Sequence, residues 1–216
     1  PNVTSIPYFT TVKWNALVLD EQQAAALNGA FAGYNALVEG NRPAIGDAEA
    51  DARKVSFKAG ANAFLVKDTT LSDLNSPAGP VPNVRFRQMK SNELLTLTTP
   101  GDRIKCEGFG SLRTIPGQDT IPNPITENYL IDEDELAKIN SAIASFNSTI
   151  KTEANARGLA MFDANSRLKQ LASEDGITIS GINFTSSFIT GGAFSLDGVH
   201  PSTRGYAIIA NDFIKA

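Results

Sequence analysis

The sequence predicts an α/β domain in which a parallel sheet carries helices on its faces. Two observations predict this class. From residue 132 onward, the pattern is helix, short buried strand, helix, loop and helix, an order typical of a parallel sheet. The chain has 216 residues, 42% of them apolar, which is enough to bury one full core. We therefore expect one domain over residues 1–216, with an irregular insertion at residues 40–128.

The first forty residues contain a predicted strand and a predicted helix. Val3, Ile6 and Phe9 follow a strand-like pattern. Residues 20–39 then follow a helical pattern, in which Asp20 caps the start and Gly40 marks the end. The apolar positions at near-helical spacing are Ala24, Leu27, Phe31 and Leu37.

The insertion at residues 40–128 lacks a regular alternation of strand and helix. Residues 63–66 predict a short buried strand, and residues 93–98 form a second strand-like run. Pro43 and Gly46 interrupt the polar segment 41–58, and residues 72–83 are predicted to be loop. Residues 99–128 contain many prolines and glycines, so we expect them to form an extended surface excursion.

The C-terminal part of the chain is more regular. Asp132 followed by Glu135 has the form of a capping box, and it precedes a long helix that ends near Gly158. One apolar stripe runs along this helix, at Leu136, Ile139, Ile143, Phe146 and Ile150. A buried strand at residues 159–162, a helix at 165–172 and a loop at 176–196 follow. The last helix is predicted to be capped by Ser202 and to carry Tyr206, Ile209 and Phe213 on one face.

Composition and charge exclude several function classes. The formal net charge is −4, from 19 basic and 23 acidic residues, and no basic stripe is present, so we do not expect nucleic acid as a partner. No apolar run approaches the ~20 residues that a membrane span requires. Cys106 is the only cysteine, which excludes an internal disulfide and favours a packed small side chain. The acidic run 132–135 is interpreted as the first turn of a helix rather than a cation site.

The residues that point to chemistry lie near the C-terminus. His200 is the only histidine, and Asp197 stands three residues before it in Asp-Gly-Val-His-Pro-Ser. An aspartate at this spacing can accept a hydrogen bond from one ring nitrogen of His200. The other nitrogen is then available as a base toward a serine hydroxyl. The same pair could also be ordinary surface-loop residues, with Asp197 capping a turn.

This C-terminal block resembles the last motif of SGNH (GDSL-type) serine hydrolases. The resemblance covers Asp197 through Pro201, the run Arg204-Gly205-Tyr206-Ala207 and the apolar helix that ends the chain. Residues 3–19, 128–132 and 158–163 look like segments of a Bacteroidota branch of secreted SGNH lipoproteins, whereas residues 40–128 match only loosely. The resemblance implies a three-layer, flavodoxin-like parallel sheet, of which this chain is the C-terminal portion. It also implies that Asp197 and His200 are the catalytic Asp and His.

The same resemblance indicates what the chain does not contain. The nucleophile of the family lies in a Gly-Asp-Ser-Leu or Gly-Asn-Ser-Leu motif, and neither occurs here. Ser111, in Gly-Phe-Gly-Ser-Leu, is the nearest match, but no Asp or Asn precedes it. It also lies within residues 99–128, whereas the family's nucleophile follows the first strand. We therefore expect the nucleophilic serine, and the donors that hold the oxyanion, to lie in a segment before Pro1.

Three hypotheses of function follow. The first is a serine esterase or lipase that hydrolyses small-molecule or lipid carboxylic esters, with His200 as base and Asp197 as its orienting acid, and without a metal or organic cofactor. The second is a surface lipoprotein whose domain binds a lipid or an outer-membrane protein with little or no catalysis. The family resemblance implies an extracytoplasmic location, as an outer-membrane lipoprotein or at the cell surface. The third is a structural α/β domain in which the Asp-x-x-His spacing is accidental.

Overall fold

The computed structural model describes residues 17–96, 98–114, 120–187, 190–197 and 200–215. These residues belong to two compact units, which we call the N-terminal unit (within Trp14–Ile131) and the C-terminal unit (within Asp132–Ala216). The strand predicted at Val3, Ile6 and Phe9 lies outside the described residues.

Two helices open the N-terminal unit. Helix α1 spans Glu21–Ile45 and helix α2 spans Asp47–Arg53. Asp20 caps α1 through a complete capping box, because its carboxylate accepts from the Gln23 amide while the Gln23 side chain accepts from the Asp20 amide. The predicted helix is therefore confirmed, and it continues six residues further than expected. Pro43 is tolerated within its last turn, and Gly46, with φ of 84°, ends it.

The strands of the N-terminal unit are short and pair two by two. They are β1 (Leu17–Leu19), β2 (Gly60–Asn62), β3 (Leu65–Lys67), β4 (Leu74–Ser76), β5 (Gly79–Val81), β6 (Phe86–Gln88) and β7 (Leu94–Leu95), followed by β8 (Ser111–Thr114), β9 (Thr120–Asn123) and β10 (Leu130–Ile131). The pairs are β1–β2, β3–β6, β4–β5, β7–β10 and β8–β9, and each pair is antiparallel. In chain order, helix α3 (Gly101–Cys106) lies between β7 and β8, and a 3₁₀ turn at Glu127–Tyr129 lies between β9 and β10.

Strand β3 lies at the centre of the N-terminal unit. Phe64, Leu65 and Val66 are at most 1% exposed. On the edge of β3 away from β6, the Leu65 amide donates to the Gly110 carbonyl at 2.7 Å and the Ile125 amide donates to the Leu65 carbonyl at 2.9 Å. The strand predicted at residues 63–66 is thus confirmed, one or two residues later than expected. Phe109 and Ile125 are also buried, at 2% and 0% exposure, so the segment expected to be a surface excursion contributes these two described residues to the core.

The C-terminal unit consists of three helices and one hairpin among its described residues. Helix α4 spans Glu133–Ala156, α5 spans Ala164–Leu171 and α6 spans Thr203–Lys215, and the hairpin pairs β11 (Ile177–Ile179) with β12 (Ile182–Phe184). The predicted capping box of Asp132 and Glu135 is present at the start of α4. Among the described residues of this unit, Leu171, Phe184, Ala193 and Ile208 form a buried cluster.

The predicted parallel, flavodoxin-like sheet is wrong. All of the paired strands in the described ranges are antiparallel, and the unit from residue 132 onward contains only the β11–β12 hairpin. Residues 159–162 were expected to be a buried strand, yet they form no strand, and Leu159 is 60% exposed. The reason is that four apolar residues in a row do not determine a strand unless neighbouring strands cover them.

Two helix faces are also oriented differently from the prediction. The apolar stripe of α4 was expected to pack on a sheet, but Phe146 and Ile150 are 64% and 56% exposed. In α6, the buried side is at Gly205 and Ile208, whereas Tyr206 is 55% exposed. The described structure is therefore a mixed arrangement of helices and short antiparallel pairs.

Candidate functional site

Asp197 and His200 lie on a closed loop of the C-terminal unit. An antiparallel bridge joins Phe194 to Pro201, and the Ser195 amide donates to the His200 carbonyl at 2.8 Å. The loop spans residues 193–202, of which 198 and 199 are outside the described residues. Because backbone hydrogen bonds close the loop at its base, the two side chains are held on a short and constrained segment.

The carboxylate of Asp197 is bound to His200 at two points. Oδ2 of Asp197 lies 2.7 Å from Nδ1 of the His200 ring, and Oδ1 accepts the His200 backbone amide at 2.9 Å. With a carboxylate as its partner, Nδ1 carries the proton, since a carboxylate only accepts. The neutral imidazole therefore presents Nε2 as the basic nitrogen.

Ser195 adds a third hydrogen bond to this carboxylate. Its hydroxyl donates to Oδ1 of Asp197 at 2.6 Å. Sequence reasoning did not identify Ser195, which stands two residues before Asp197 and belongs to no recognised motif. Both oxygens of Asp197 are thus engaged, so its rotamer is fixed relative to the ring of His200.

The His200 ring is accessible. Its side chain is 71% exposed and that of Asp197 is 50% exposed. An exposed ring nitrogen can reach a reacting group that approaches from solvent or from another segment. Because both side chains are exposed, water weakens the electrostatic attraction between them. Hydrogen-bond geometry, and not burial, therefore orients the His200 ring.

The loop continues directly into helix α6. The Ser202 carbonyl accepts the Tyr206 amide at 2.8 Å and the Ser202 hydroxyl accepts the Gly205 amide at 3.1 Å, which confirms Ser202 as the predicted cap. Gly205 packs closely against the other side of the loop: a β-carbon at this position would lie 2.1 Å from the Ala193 carbonyl oxygen. Glycine therefore lets the helix approach the strand-like residues that precede Asp197.

Helix α6 is in turn tied to helix α5. Arg167 binds Asp212 through two hydrogen bonds of 2.6 and 2.7 Å, and the rings of Phe162 and Phe213 are 4.9 Å apart. A bidentate guanidinium–carboxylate pair fixes orientation as well as distance. These contacts anchor helix α6, which directly follows the loop of residues 193–202, called here the histidine loop.

Asp163, which the sequence placed just after a strand, has a structural role. It caps α5, where its carboxylate accepts the Ser166 amide at 2.9 Å and the Ser166 hydroxyl at 2.8 Å. These hydrogen bonds hold the pKa of Asp163 below its ordinary value. Its contacts are those of a helix cap, not of a catalytic acid.

The described residues do not bring a nucleophile to His200. None of the serine hydroxyls in the described ranges lies within hydrogen-bond distance of the His200 ring. Ser111 belongs to the N-terminal unit, where its hydroxyl contacts the Gly108 carbonyl at 3.4 Å. Cys106, which was expected to be packed, is exposed and makes no disulfide.

Two further properties of the described part of the chain bear on the site. No group of three or more His, Cys, Asp or Glu side chains there is arranged to hold a metal ion. Neither is any helix in the described ranges both long enough and apolar enough to cross a bilayer.

Compared with models of protein families, with curated proteins and with solved structures, the chain matches none of them.

Proposed function

We propose that Asp197 and His200 are the orienting acid and the general base of a serine ester hydrolase. The observation that carries the proposal is the 2.7 Å contact between Oδ2 of Asp197 and Nδ1 of an exposed His200. The proposal also rests on the resemblance of the residues around this pair to the SGNH family. It does not require the parallel sheet that this resemblance implied.

The chemistry divides into two acyl transfers. Nε2 of His200 accepts the proton of a serine hydroxyl as the serine oxygen attacks the ester carbonyl carbon. The imidazolium returns that proton to the departing alcohol oxygen, and the acyl group remains on the serine. A water molecule then gives a proton to Nε2 and attacks the acyl carbon. The bond from the acyl carbon to the serine oxygen breaks, the imidazolium returns the proton to that oxygen, and the carboxylic acid is released. In both steps the negative charge of Asp197 stabilises the imidazolium.

The nucleophile in this proposal is a serine in the segment that the resemblance places before Pro1. Ser195 is not a candidate, because its hydroxyl is bound to the carboxylate of Asp197 and not to the ring of His200. The substrates are carboxylic esters, either small molecules or lipids. The resemblance supports an extracytoplasmic location, on an outer membrane or at the cell surface.

A fluorophosphonate probe tests the proposal, because it reacts only with a serine that a base activates. Full-length protein should be labelled, and His200→Ala should abolish the labelling. Asp197→Asn should lower kcat for ester hydrolysis by about 10³- to 10⁴-fold, since an amide favours the wrong tautomer of the ring. Glu174→Gln, an exposed substitution in the same unit, is the control. Full labelling of His200→Ala, or no ester hydrolysis by the unaltered protein, would overturn the proposal.

A second candidate is a surface lipoprotein that binds a lipid or an outer-membrane protein with little catalysis. The apolar stripe of α4 favours this candidate, because Phe146 and Ile150 on it are 64% and 56% exposed. Replacing both residues by serine should remove a co-purifying lipid or protein while leaving ester hydrolysis unchanged. If these variants retain every bound component, this candidate fails.

A further inference from the structure

A groove of about 1000 Å³ crosses the N-terminal unit. Helix α1 forms one wall; strand β5 and the residues that follow it, strands β8 and β9, and the segment from Lys67 to Asp73 supply most of the other lining residues. Ligand pockets in proteins commonly have volumes of about 300–1000 Å³. The groove is therefore large enough for an extended small molecule, and the residues that line it come from distant parts of the sequence, between Ala30 and Thr126.

Most of the lining is apolar. The aliphatic and aromatic contributors include Phe31, Leu37, Val81, Val84, Leu112 and Ile121. Tyr34 also lines the groove, and its hydroxyl donates to the Phe86 carbonyl at 2.7 Å. Burial raises the pKa of Tyr34 to about 12, so this hydroxyl stays neutral. An alkyl chain is the ligand group that such a surface binds best.

The charged groups of the groove leave one positive charge uncompensated. Arg85 and Asp73 neutralise each other through two hydrogen bonds of 2.8 Å. The ammonium group of Lys67 has no hydrogen-bond or ion-pair partner in the part of the chain that the structure describes. A monoanionic group would therefore complement the groove.

The backbone of Lys67 is held in place by strand pairing. It ends strand β3, and its backbone amide donates to the Ile125 carbonyl at 2.8 Å. Thr69 lines the groove two residues later. The nearby carboxylate of Glu127 accepts the Thr69 amide at 2.5 Å and is not part of the lining. The cation and a hydroxyl thus lie on one fixed segment of the wall.

We propose that this groove binds a long-chain monocarboxylate. The alkyl chain lies along the apolar wall, and the carboxylate lies beside Lys67 and Thr69. This inference is independent of the proposed ester hydrolysis, because it uses no residue of the C-terminal unit.

Calorimetry with three dodecyl compounds tests the head group, with the two ionic compounds below their critical micelle concentrations and dodecanol below its solubility limit. Dodecanoate should bind the full chain with one-to-one stoichiometry, more tightly than dodecanol, and dodecyltrimethylammonium should bind least. Lys67→Gln should weaken dodecanoate about two- to fivefold, as expected for one exposed ion pair, and leave dodecanol unchanged. Equal affinity of dodecanoate and dodecanol for the unaltered protein would overturn the proposal.

A matched pair of glycine variants on α1 tests the location. Gly33 lines the groove and Gly40 does not, and an added β-carbon meets no atom within 4 Å at either position. Leucine is a better helix former than glycine, so both variants should fold. Gly33→Leu should fill the groove and lower the affinity for dodecanoate at least tenfold, whereas Gly40→Leu should stay within twofold.

Unchanged affinity in Gly33→Leu, or an equal loss in both variants, would contradict the assigned location. If either variant fails to fold, the comparison of Lys67→Gln with the unaltered protein decides. His200→Ala should bind dodecanoate normally, which separates failure of this proposal from failure of the proposed hydrolysis.

Discussion

The Ser195 hydroxyl donates a 2.6 Å hydrogen bond to Oδ1 of Asp197, on the carboxylate whose other oxygen contacts the ring of His200. The aspartate is thus fixed by a neighbour that has no contact with the imidazole itself. In the proposed mechanism Ser195 is a positioning residue, because it acts only through Asp197.

Removing this hydroxyl should reduce turnover and leave substrate binding intact. We expect Ser195→Ala to lower kcat about three- to tenfold with unchanged KM, which corresponds to a hydrogen bond worth ~0.7–1.4 kcal/mol. Steady-state hydrolysis of an activated ester by the full-length protein measures both constants. Ser195→Thr keeps the hydroxyl and should restore most of the activity. A loss in Ser195→Ala as complete as that in His200→Ala would mean that Ser195 has a more direct role.

The close approach of Gly205 to Ala193 predicts a stability effect. A β-carbon at Gly205 would lie 2.1 Å from a backbone oxygen and 3.0 Å from the Pro201 side chain, so Gly205→Ala must displace either α6 or the histidine loop. We expect it to cost about 1–3 kcal/mol of unfolding free energy. Thermal denaturation followed by circular dichroism measures the change. Ala210→Ser, on an exposed position of the same helix, is the control, and equal melting of the two variants would refute the close contact.

The buried ion pair of the N-terminal unit predicts a larger effect. Arg87 binds both oxygens of Glu93, whose side chain is fully buried, while that of Arg87 is 7% exposed. Glu93→Ala leaves a buried guanidinium short of a partner and should cost about 3–5 kcal/mol in urea denaturation. Asp73→Ala breaks the exposed pair with Arg85 and should leave the urea midpoint nearly unchanged. Similar midpoints for the two variants would show that burial does not govern this pair.

Acid should weaken the same cluster through Asp68. Burial opposes the ionisation of this carboxyl, but hydrogen bonds from Thr70 and Arg87 and the charge of Arg87 outweigh it, so the pKa of Asp68 lies below the ordinary 3.8. A lowered pKa in the folded state means that the ionised form stabilises the fold. This contribution is complete above the unfolded-state value and is lost as the pH falls through the folded-state value.

Urea denaturation as a function of pH measures this linkage. The unfolding free energy should fall steeply below about pH 4, where the carboxyl protonates in the unfolded chain. Asp68→Asn should lower the unfolding free energy at pH 7 and reduce its further fall in acid. If the unfolding free energy falls as steeply in acid for Asp68→Asn as for the unaltered protein, the effect belongs to other carboxyl groups.

Local signals in the sequence predicted local structure well. The capping boxes at Asp20 and Asp132 each join residues three apart, so the sequence alone contains both partners, and both helix starts are confirmed. The contact between Asp197 and His200 has the same short span. Ser195 is also close to Asp197 in the sequence, but no known motif singles it out.

Long-range structure could not be predicted in this way. The order of elements after residue 132 predicted a parallel sheet, but strand pairing depends on partners that a run such as 159–162 does not specify. The core around β3 joins residues near 65, 110 and 125, and the groove joins α1 to lining residues that lie between Lys67 and Thr126 in the sequence. Neither arrangement has a signature in any single segment.

The exposed stripe of α4 has a thermodynamic consequence for the C-terminal unit. Phe146 and Ile150 remain largely in contact with water when the helix is formed. The heat capacity of unfolding increases with the apolar surface that water newly reaches, and surface that is already wet adds nothing to it. These two side chains should therefore add little to the curvature with which the stability of this unit depends on temperature.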